Sequence, residues 1–263
     1  MKPWELKLGL FVLILVVLLA LMFWWRWRVA RREAADHAAD LARFAAMMGG
    51  TASGPGEDVS AWSAGLLRPF AHEYGSVIAW LGRVSDSRFE HALDFERHGW
   101  RIRVTEASIE LQDPTNADVA NTHHERRVEV ATSELPPLKL VVRSPGGGGG
   151  ARNWAGEAPR PVADGGSREW RELTLPAGLD RAFAALTGDP HRAAAMFVPE
   201  VVQRLLAEAG ADDFHNLTLE GGIAYSVLPG QIDPERLLQE VDAITGLLQR
   251  FPGVRPRNPA SAA

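Results

Sequence analysis

LGLFVLILVVLLALMFWW, residues 8–25, is the stretch that decides how the rest of the chain is placed, because it is apolar throughout and holds no charged residue. Thirteen of its 18 residues are Leu, Ile, Val or Phe. A helix of this length rises about 27 Å, close to the roughly 30 Å hydrocarbon thickness of a bilayer. The stretch therefore predicts a transmembrane helix at residues 8–25, in contact with lipid.

Two other interpretations of this stretch are less favoured by its pattern. A helix that is apolar on all faces is suited to a protein core, but one at a chain terminus rarely finds such a core. A cleaved signal peptide has a shorter apolar region that ends in small residues. Here the run ends in MFWWRWR, residues 22–28, which is bulky, aromatic and cationic. We therefore expect an uncleaved anchor.

The charges beside the apolar run predict its orientation. Lys2 and Lys7 precede it and four arginines follow it, and basic residues concentrate on the cytoplasmic side of membrane helices. We expect a short N-terminus outside and a cytoplasmic C-terminal domain at a bacterial inner membrane. A periplasmic domain with inverted topology stays the alternative. The predicted membrane interface combines an aromatic belt with a basic collar: Trp24, Trp25, Arg26, Trp27, Arg28, Arg31 and Arg32.

Charge and cysteine content exclude several functions for the remainder of the chain. Residues 33–263 hold 22 basic and 32 acidic residues, and an acidic surface is a poor partner for nucleic-acid phosphates. The chain has no cysteine, which excludes thiol nucleophiles, thiolate metal sites and disulfides. Three lysines accompany 25 arginines, a composition typical of a bacterial genome bias. No cofactor is expected.

The chain outside the anchor divides by composition into five parts. Residues 1–7 are a short flank before the anchor, and 26–48 form a basic collar and a helix-favouring stalk. GGTASGPGED, 49–58, is predicted to be a linker, and the tail at 254–263 is expected to be disordered. A soluble domain fills 59–253. Its Gly/Pro-rich part, 144–167, is interpreted as a flexible loop, with an interdomain linker left open.

Two hairpins are predicted in the soluble domain. Residues 89–96 and 100–104 alternate between apolar and polar around a loop containing Gly99, and 216–220 and 223–228 are joined by two glycines. Between 59 and 81, apolar residues recur at helical spacing, with Pro69 and Gly75 interrupting them. This segment predicts two short helices or one kinked helix.

The last helix is the best-defined soluble element of the sequence. Asp233 is a typical N-cap and Pro234 suits the first helical position. An apolar stripe follows at helical spacing: Leu237, Val241, Ile244, Leu248 and Phe251. The predicted fold class is therefore α+β, with one N-terminal transmembrane helix followed by an antiparallel-sheet domain, packed helices and this C-terminal amphipathic helix.

Two short clusters are weak candidates for a chemical site. His123 and His124 invite a metal-site interpretation, but neighbours on a strand point to opposite faces, so a polar strand start is favoured. Asp212, Asp213 and His215 would suit acid–base work or cation binding, but Asp also favours turns, so a loop is favoured. We predict no metal or catalytic site with more than this support.

The sequence thus leaves two classes of function open. The leading hypothesis is a membrane-anchored interaction or scaffold module with a protein partner at the membrane. The alternative is a membrane-bound hydrolase using the Asp212, Asp213 and His215 region. The partner, the ligand and the oligomeric state are not predicted by the sequence.

Overall fold

The protein is described from a computed structural model, which covers residues 3–70, 85–113, 116–143, 170–208 and 216–257. The chain divides into two compact units, residues 1–43 and 44–263. The first unit is the greater part of one long helix, and the described part of the second contains one antiparallel sheet and its helices. The elements confirm the α+β class.

Helix α1, Pro3–Met47, runs without a break through the residues predicted as anchor and stalk. It is continuous because Ala and Arg dominate after the apolar run, and no proline follows Pro3 within it. Within the described residues it is the one helix long and apolar enough to cross a membrane, and none of its most apolar window is buried in the structure. The large apolar side chains of its N-terminal part are exposed accordingly, from Leu10 at 56% to Trp27 at 54%.

In the described residues, nine strands form one sheet in which every pairing is antiparallel. Their order across the sheet is β1-β2-β3-β4-β9-β8-β5-β7-β6. The strands are β1 Thr51–Ser53, β2 Arg88–Arg97, β3 Trp100–Asp113, β4 Asn116–Ala131, β5 Leu138–Val142, β6 Arg171–Leu173, β7 Phe183–Thr187, β8 Leu217–Glu220 and β9 Ile223–Pro229.

Both predicted hairpins are confirmed, and each closes through a two-residue turn. His98 and Gly99 join β2 to β3 with φ of 52° and 78°, and Gly221 and Gly222 join β8 to β9 with φ of 62° and 77°. Two successive residues of positive φ are the requirement of a type I′ turn, whose twist matches that of the strands.

The two faces of the sheet differ in chemistry. Along one cross-strand row the side chains are apolar: Phe95, Ile102, Val130, Ala224, Leu219 and Leu138. Along the next row, whose side chains point the opposite way, they are mostly polar: Asp94, Arg103, Glu129, Tyr225, Thr218 and Lys139. We call the first the apolar face and the second the polar face.

Four helices accompany the sheet in the described part of the second unit: α2 Leu179–Ala182, α3 Pro190–Ala194, α4 Pro199–Glu208 and α5 Pro234–Leu248. In α5, Asp233 is the N-cap and accepts a hydrogen bond from the Glu235 backbone N–H at 3.0 Å, as predicted. Val241 and Ile244 are 0% and 6% exposed. The prediction that this apolar stripe belongs to the core is confirmed.

Helix α5 is joined to the apolar side of the sheet by two ion pairs. Arg126 of β4 pairs with Glu240, and Arg97 of β2 donates to Asp242 at 2.6 Å through both Nε and Nη2. The Arg97 hydrogen bond lowers the pKa of the Asp242 carboxyl, against a smaller opposing effect of burial.

The segment before β2 differs from the predicted helices. Residues 62–65 form one 3-10 turn, Trp62–Gly65, and residues 71–84 lie outside the described residues. The physical reason is that backbone N–H groups of this segment bond to the sheet. Trp62 and Ser63 donate to the Glu129 carboxylate at 2.7 and 2.8 Å, and Phe70 donates to Glu125 at 2.7 Å. These bonds replace the helical pattern.

The segment predicted as a linker, 49–58, contains β1, which pairs with β2 at the sheet edge. Gly50 is the residue that permits this approach, because a Cβ there would lie 2.2 Å from the Asp94 carbonyl oxygen. The predicted disordered tail also has an ordered beginning. Pro256 bridges to Thr132, and Ser133 N–H donates to the Arg255 carbonyl at 2.8 Å.

Strand β7 was not predicted, because its sequence FAALT is apolar up to its final Thr and lacks alternation. All five of its residues are buried, and it lies between β5 and β6. The Gly/Pro-rich segment 144–167 itself lies outside the described residues. The strands on its two sides, β5 and β6, belong to the same sheet.

Candidate functional site

A cluster of two carboxylates and an imidazole lies at one end of the apolar face. Glu90 of β2, Glu106 of β3 and His124 of β4 each offer one ligand atom, and these atoms all lie within 4.8 Å of one another. Neighbouring strands bring the three residues together. His124 lies opposite Ser108, and Ser108 follows Glu106 by two residues on β3, so that the side chains of both share one face. Residues distant in sequence thus form one chemical group.

A β-bulge gives β2 its place in this cluster. The register shifts between Phe89 and His91, so that Phe89 pairs with Ala107 while His91 pairs with Glu106. Glu90 is the extra residue, and its side chain lies with those of Ser108 and Glu106. Bulges re-aim side chains in this way, and they are over-represented next to active sites. The strict alternation predicted for 89–96 is therefore wrong at its first two residues.

Each carboxylate of the cluster is oriented by a hydrogen bond. Glu90 Oε1 accepts from Ser108 Oγ at 2.7 Å and from Arg88 Nε at 3.1 Å, and Glu106 Oε2 accepts from the Ile232 backbone N–H at 2.8 Å. The remaining Glu106 oxygen, Oε1, lies 3.4 Å from His124 Nδ1. That separation is longer than the usual 2.7–2.9 Å of a charge-assisted hydrogen bond.

Burial and charge set the protonation of the imidazole. The Glu106 side chain is 1% exposed, whereas that of His124 is 21% exposed. Hydrogen bonding to Glu106 raises the pKa of His124, burial opposes the rise, and the charges of Glu106 and Glu90 add to it. The arrangement can hold a proton between imidazole and carboxylate, or accept a cation in its place.

The structure separates the two predicted histidines. They are consecutive on β4, where His123 pairs with Ile109 and is exposed on the polar side. His124 points to the opposite side and joins the cluster. The expectation that both histidines cannot face one ion agrees with this placement, and the partners of His124 come from other strands.

The other predicted site residues stay predictions. Asp212, Asp213 and His215 lie outside the described residues. The seven interface residues of α1 between Trp24 and Arg32 are described, and all of them are exposed. Within the helix, the Arg28 guanidinium lies 5.3 Å from the Trp24 ring centroid and that of Arg31 lies 4.2 Å from Trp27. Such pairs suit an aromatic and basic collar.

Sequence reasoning missed Glu90 and Glu106. A signal for Glu106 was present, since it occupies an inward position after Ile102 and Val104 in a strand of strict alternation. A carboxylate in such a position is expected to need a buried partner. No comparable signal exists for Glu90, because its orientation depends on the bulge.

Comparison with known proteins gives one structural likeness. No protein-family model matches the chain, and no curated protein matches it. The crystal structure of the mycobacterial trehalose monomycolate transport factor A, TtfA, is similar at a TM-score of 0.44 and 10% sequence identity, over 83% of this chain and 96% of that chain. At this level the likeness assigns no function, and the site rests on the geometry above.

Proposed function

We propose that the protein is a membrane-anchored interaction or scaffold module at the cytoplasmic face of a bacterial inner membrane. The observation that carries the proposal is the pairing of an exposed apolar helix with a folded sheet domain. The most apolar window of α1 has none of its surface buried in the structure, so that surface requires another apolar environment. A bilayer supplies it.

The orientation follows from the basic collar. Arg26, Arg28 and the following arginines outnumber the lysines before the apolar run, which favours a cytoplasmic sheet domain. The tethered domain would then meet membrane-bound protein partners at raised effective concentration. Its acidic balance disfavours nucleic acid as the partner.

Membrane extraction and a reporter fusion test the anchor and its orientation separately. The full chain should stay in the membrane fraction after high-salt and carbonate washes, and deletion of residues 1–32 should release the remainder. A reporter fused after Ala263 should behave as cytoplasmic. An active periplasmic phosphatase fusion at that point would overturn the orientation and leave the anchor standing.

The hydrolase alternative makes a different prediction for the Asp212, Asp213 and His215 region. If presented surface carries the function, replacing these three residues together by Ala should leave the cellular phenotype intact at normal abundance. Removal of the anchor should abolish it. A triple variant that is folded by circular dichroism, normally abundant and inactive would replace the interaction hypothesis with the hydrolase.

A further inference from the structure

The cluster at the end of the apolar face has the composition of a metal site. We propose that Glu90, Glu106 and His124 bind a divalent first-row transition-metal ion, with Zn²⁺ as the probe of that class. The three donors come from three adjacent strands, and their ligand atoms lie within 4.8 Å of one another. The inference is independent of the membrane-anchored function proposed above.

The donor types select the class of ion. Imidazole combined with carboxylate suits zinc and its first-row neighbours, whereas calcium and magnesium take oxygen ligands. The chain has no cysteine, so ions that require thiolate are excluded. One nitrogen and two carboxylates match the three-protein-ligand pattern that leaves a fourth position for water or a substrate.

The distances need little adjustment for an ion to fit. Zinc lies about 2.0–2.2 Å from nitrogen and carboxylate ligands, so two ligands of a tetrahedral ion are roughly 3.3–3.6 Å apart. His124 Nδ1 and Glu106 Oε1 are already 3.4 Å apart. To bring all three ligand atoms to these separations, the Glu90 carboxylate must move by no more than about 1.5 Å. Rotation about a side-chain torsion supplies a movement of this size.

The surroundings hold the ligands in place and leave one side open. Ser108 Oγ donates to Glu90 and the Ile232 backbone N–H donates to Glu106, which are the outer hydrogen bonds that orient ligating carboxylates. The Glu106 side chain forms the floor at 1% exposure, whereas those of Glu90 and His124 are 22% and 21% exposed. An ion would enter from the Glu90 and His124 side.

The ordinary alternative is a purely structural role for the cluster. Histidine beside glutamate forms an ion pair without metal, and such a pair would stabilise the end of the sheet. The two roles differ in one measurable respect, because an ion pair has no affinity for Zn²⁺ above that of scattered surface residues. Zinc titration of the full chain in detergent micelles by isothermal calorimetry separates them.

Matched variants place the binding at this cluster. Glu90→Gln and His124→Gln each remove one ligand at a partly exposed position, so the fold is retained. His123→Gln and Glu96→Gln are their controls, since each removes the same residue type at an exposed position on the same strand. We expect one site per chain, weakened about tenfold or more in the first two variants and unchanged in the controls.

Each outcome decides the assignment. Saturable binding that is lost with Glu90→Gln and His124→Gln, at unchanged circular dichroism, supports the site. No saturable binding by the native chain overturns it and leaves the ion pair. An equal loss of zinc binding in the His123→Gln control also overturns the assignment. Displacement of zinc by excess Mg²⁺ would overturn the transition-metal class.

Discussion

Strand β4 contributes charged side chains to a buried group on each face of the sheet. One of these groups is fully enclosed, and the other is partly exposed to solvent. On the polar face, Glu125, Arg127 and Glu129 alternate along the strand and are 2%, 1% and 0% exposed. On the opposite side, His124 lies at the partly exposed end of a cluster around Glu106. The same strand thus carries one enclosed group and one that opens to the surface.

The enclosed group holds a segment of chain in place. Arg127 Nε donates to Glu125 at 2.8 Å, and Arg127 Nη1 donates to the Leu67 carbonyl at 2.6 Å and to Ser63 Oγ at 3.1 Å. Glu129 accepts two backbone N–H bonds from residues 62 and 63. Burial raises the pKa of the Glu129 carboxyl, although these hydrogen bonds oppose the rise. Apart from the Arg127–Glu125 pair, which lies within β4, each of these contacts joins the sheet to residues 62–67.

The open group has looser internal geometry. Its imidazole and buried carboxylate are 3.4 Å apart, against 2.6–3.1 Å for the Arg127 contacts. Buried charge whose contacts are short and directed to the backbone serves the fold. A partly exposed set of donors with longer separations has room for another atom. This difference is the reason that we assign stability to one group and ligand binding to the other.

Loss of Arg127 should give the largest effect. Arg127→Met leaves the Glu125 carboxylate buried without its cation, and such a change costs about 3–5 kcal/mol of unfolding free energy. Urea denaturation of the full chain in detergent micelles measures it. Arg101→Met, an exposed arginine on the same face, is the control and should stay within about 0.5 kcal/mol. Equal effects of the two variants would show that the enclosure of Arg127 does not determine its contribution to stability.

Truncation of a buried side chain of α5, on the apolar side of the sheet, should have a somewhat smaller effect on the free energy of unfolding. Val241 is 0% exposed in α5, on the apolar side of the sheet. Val241→Ala or Ile244→Ala should cost on the order of 1–4 kcal/mol through lost burial and a residual cavity. Leu206→Ala in α4, where the side chain is 43% exposed, is the control and should stay within about 0.5 kcal/mol. Unchanged urea midpoints for the α5 variants would mean that this helix is a free surface.

The smallest effect concerns a lysine on the polar face. Burial lowers the pKa of Lys139 to about 8 from 10.5, although the charge of Glu220 opposes this. The folded state therefore disfavours the ammonium, and stability should rise as the pH increases from about 8 to 10.5. The full shift corresponds to roughly 3 kcal/mol, which partial exposure reduces to the order of 1 kcal/mol. In Lys139→Met this rise should vanish, as measured by urea midpoints across that pH range.

Amine labelling gives a second measurement of the same group. Lys139 is the one lysine outside residues 1–32, so peptide mapping distinguishes it from Lys2 and Lys7. Its labelling should reach half-maximum near pH 8. A midpoint near 10.5 would show that the ammonium is solvated, and the polar face would then be less enclosed than described.

Elements whose signals are local were predictable from the sequence. The Gly221-Gly222 turn and the Asp233-Pro234 start of α5 each depend on a few adjacent residues, and both are confirmed. The candidate site was not predictable beyond His124. Its other two members depend on strand pairing and on a bulge, which are set by tertiary contacts rather than by local pattern.

The segment at 59–70 shows why helical spacing of apolar residues gave a wrong prediction there. Its apolar residues fit a helix, but the buried carboxylates of β4 offered its N–H groups stronger acceptors than helical carbonyls. Those acceptors lie more than 50 positions away in the chain. Nothing in the segment itself reveals them, so propensity alone favoured the helix.

The short outermost strands have a consequence for how copies of the chain coexist. Strands β1 and β6 border the described sheet and have three residues each. Domains tethered to one membrane would meet often in two dimensions, and long free strand borders would then join copies into aggregates. Borders of three residues offer few free backbone groups for such pairing, and β6 also carries Arg171 and Glu172. Pairing between copies through the borders of the described sheet is therefore disfavoured.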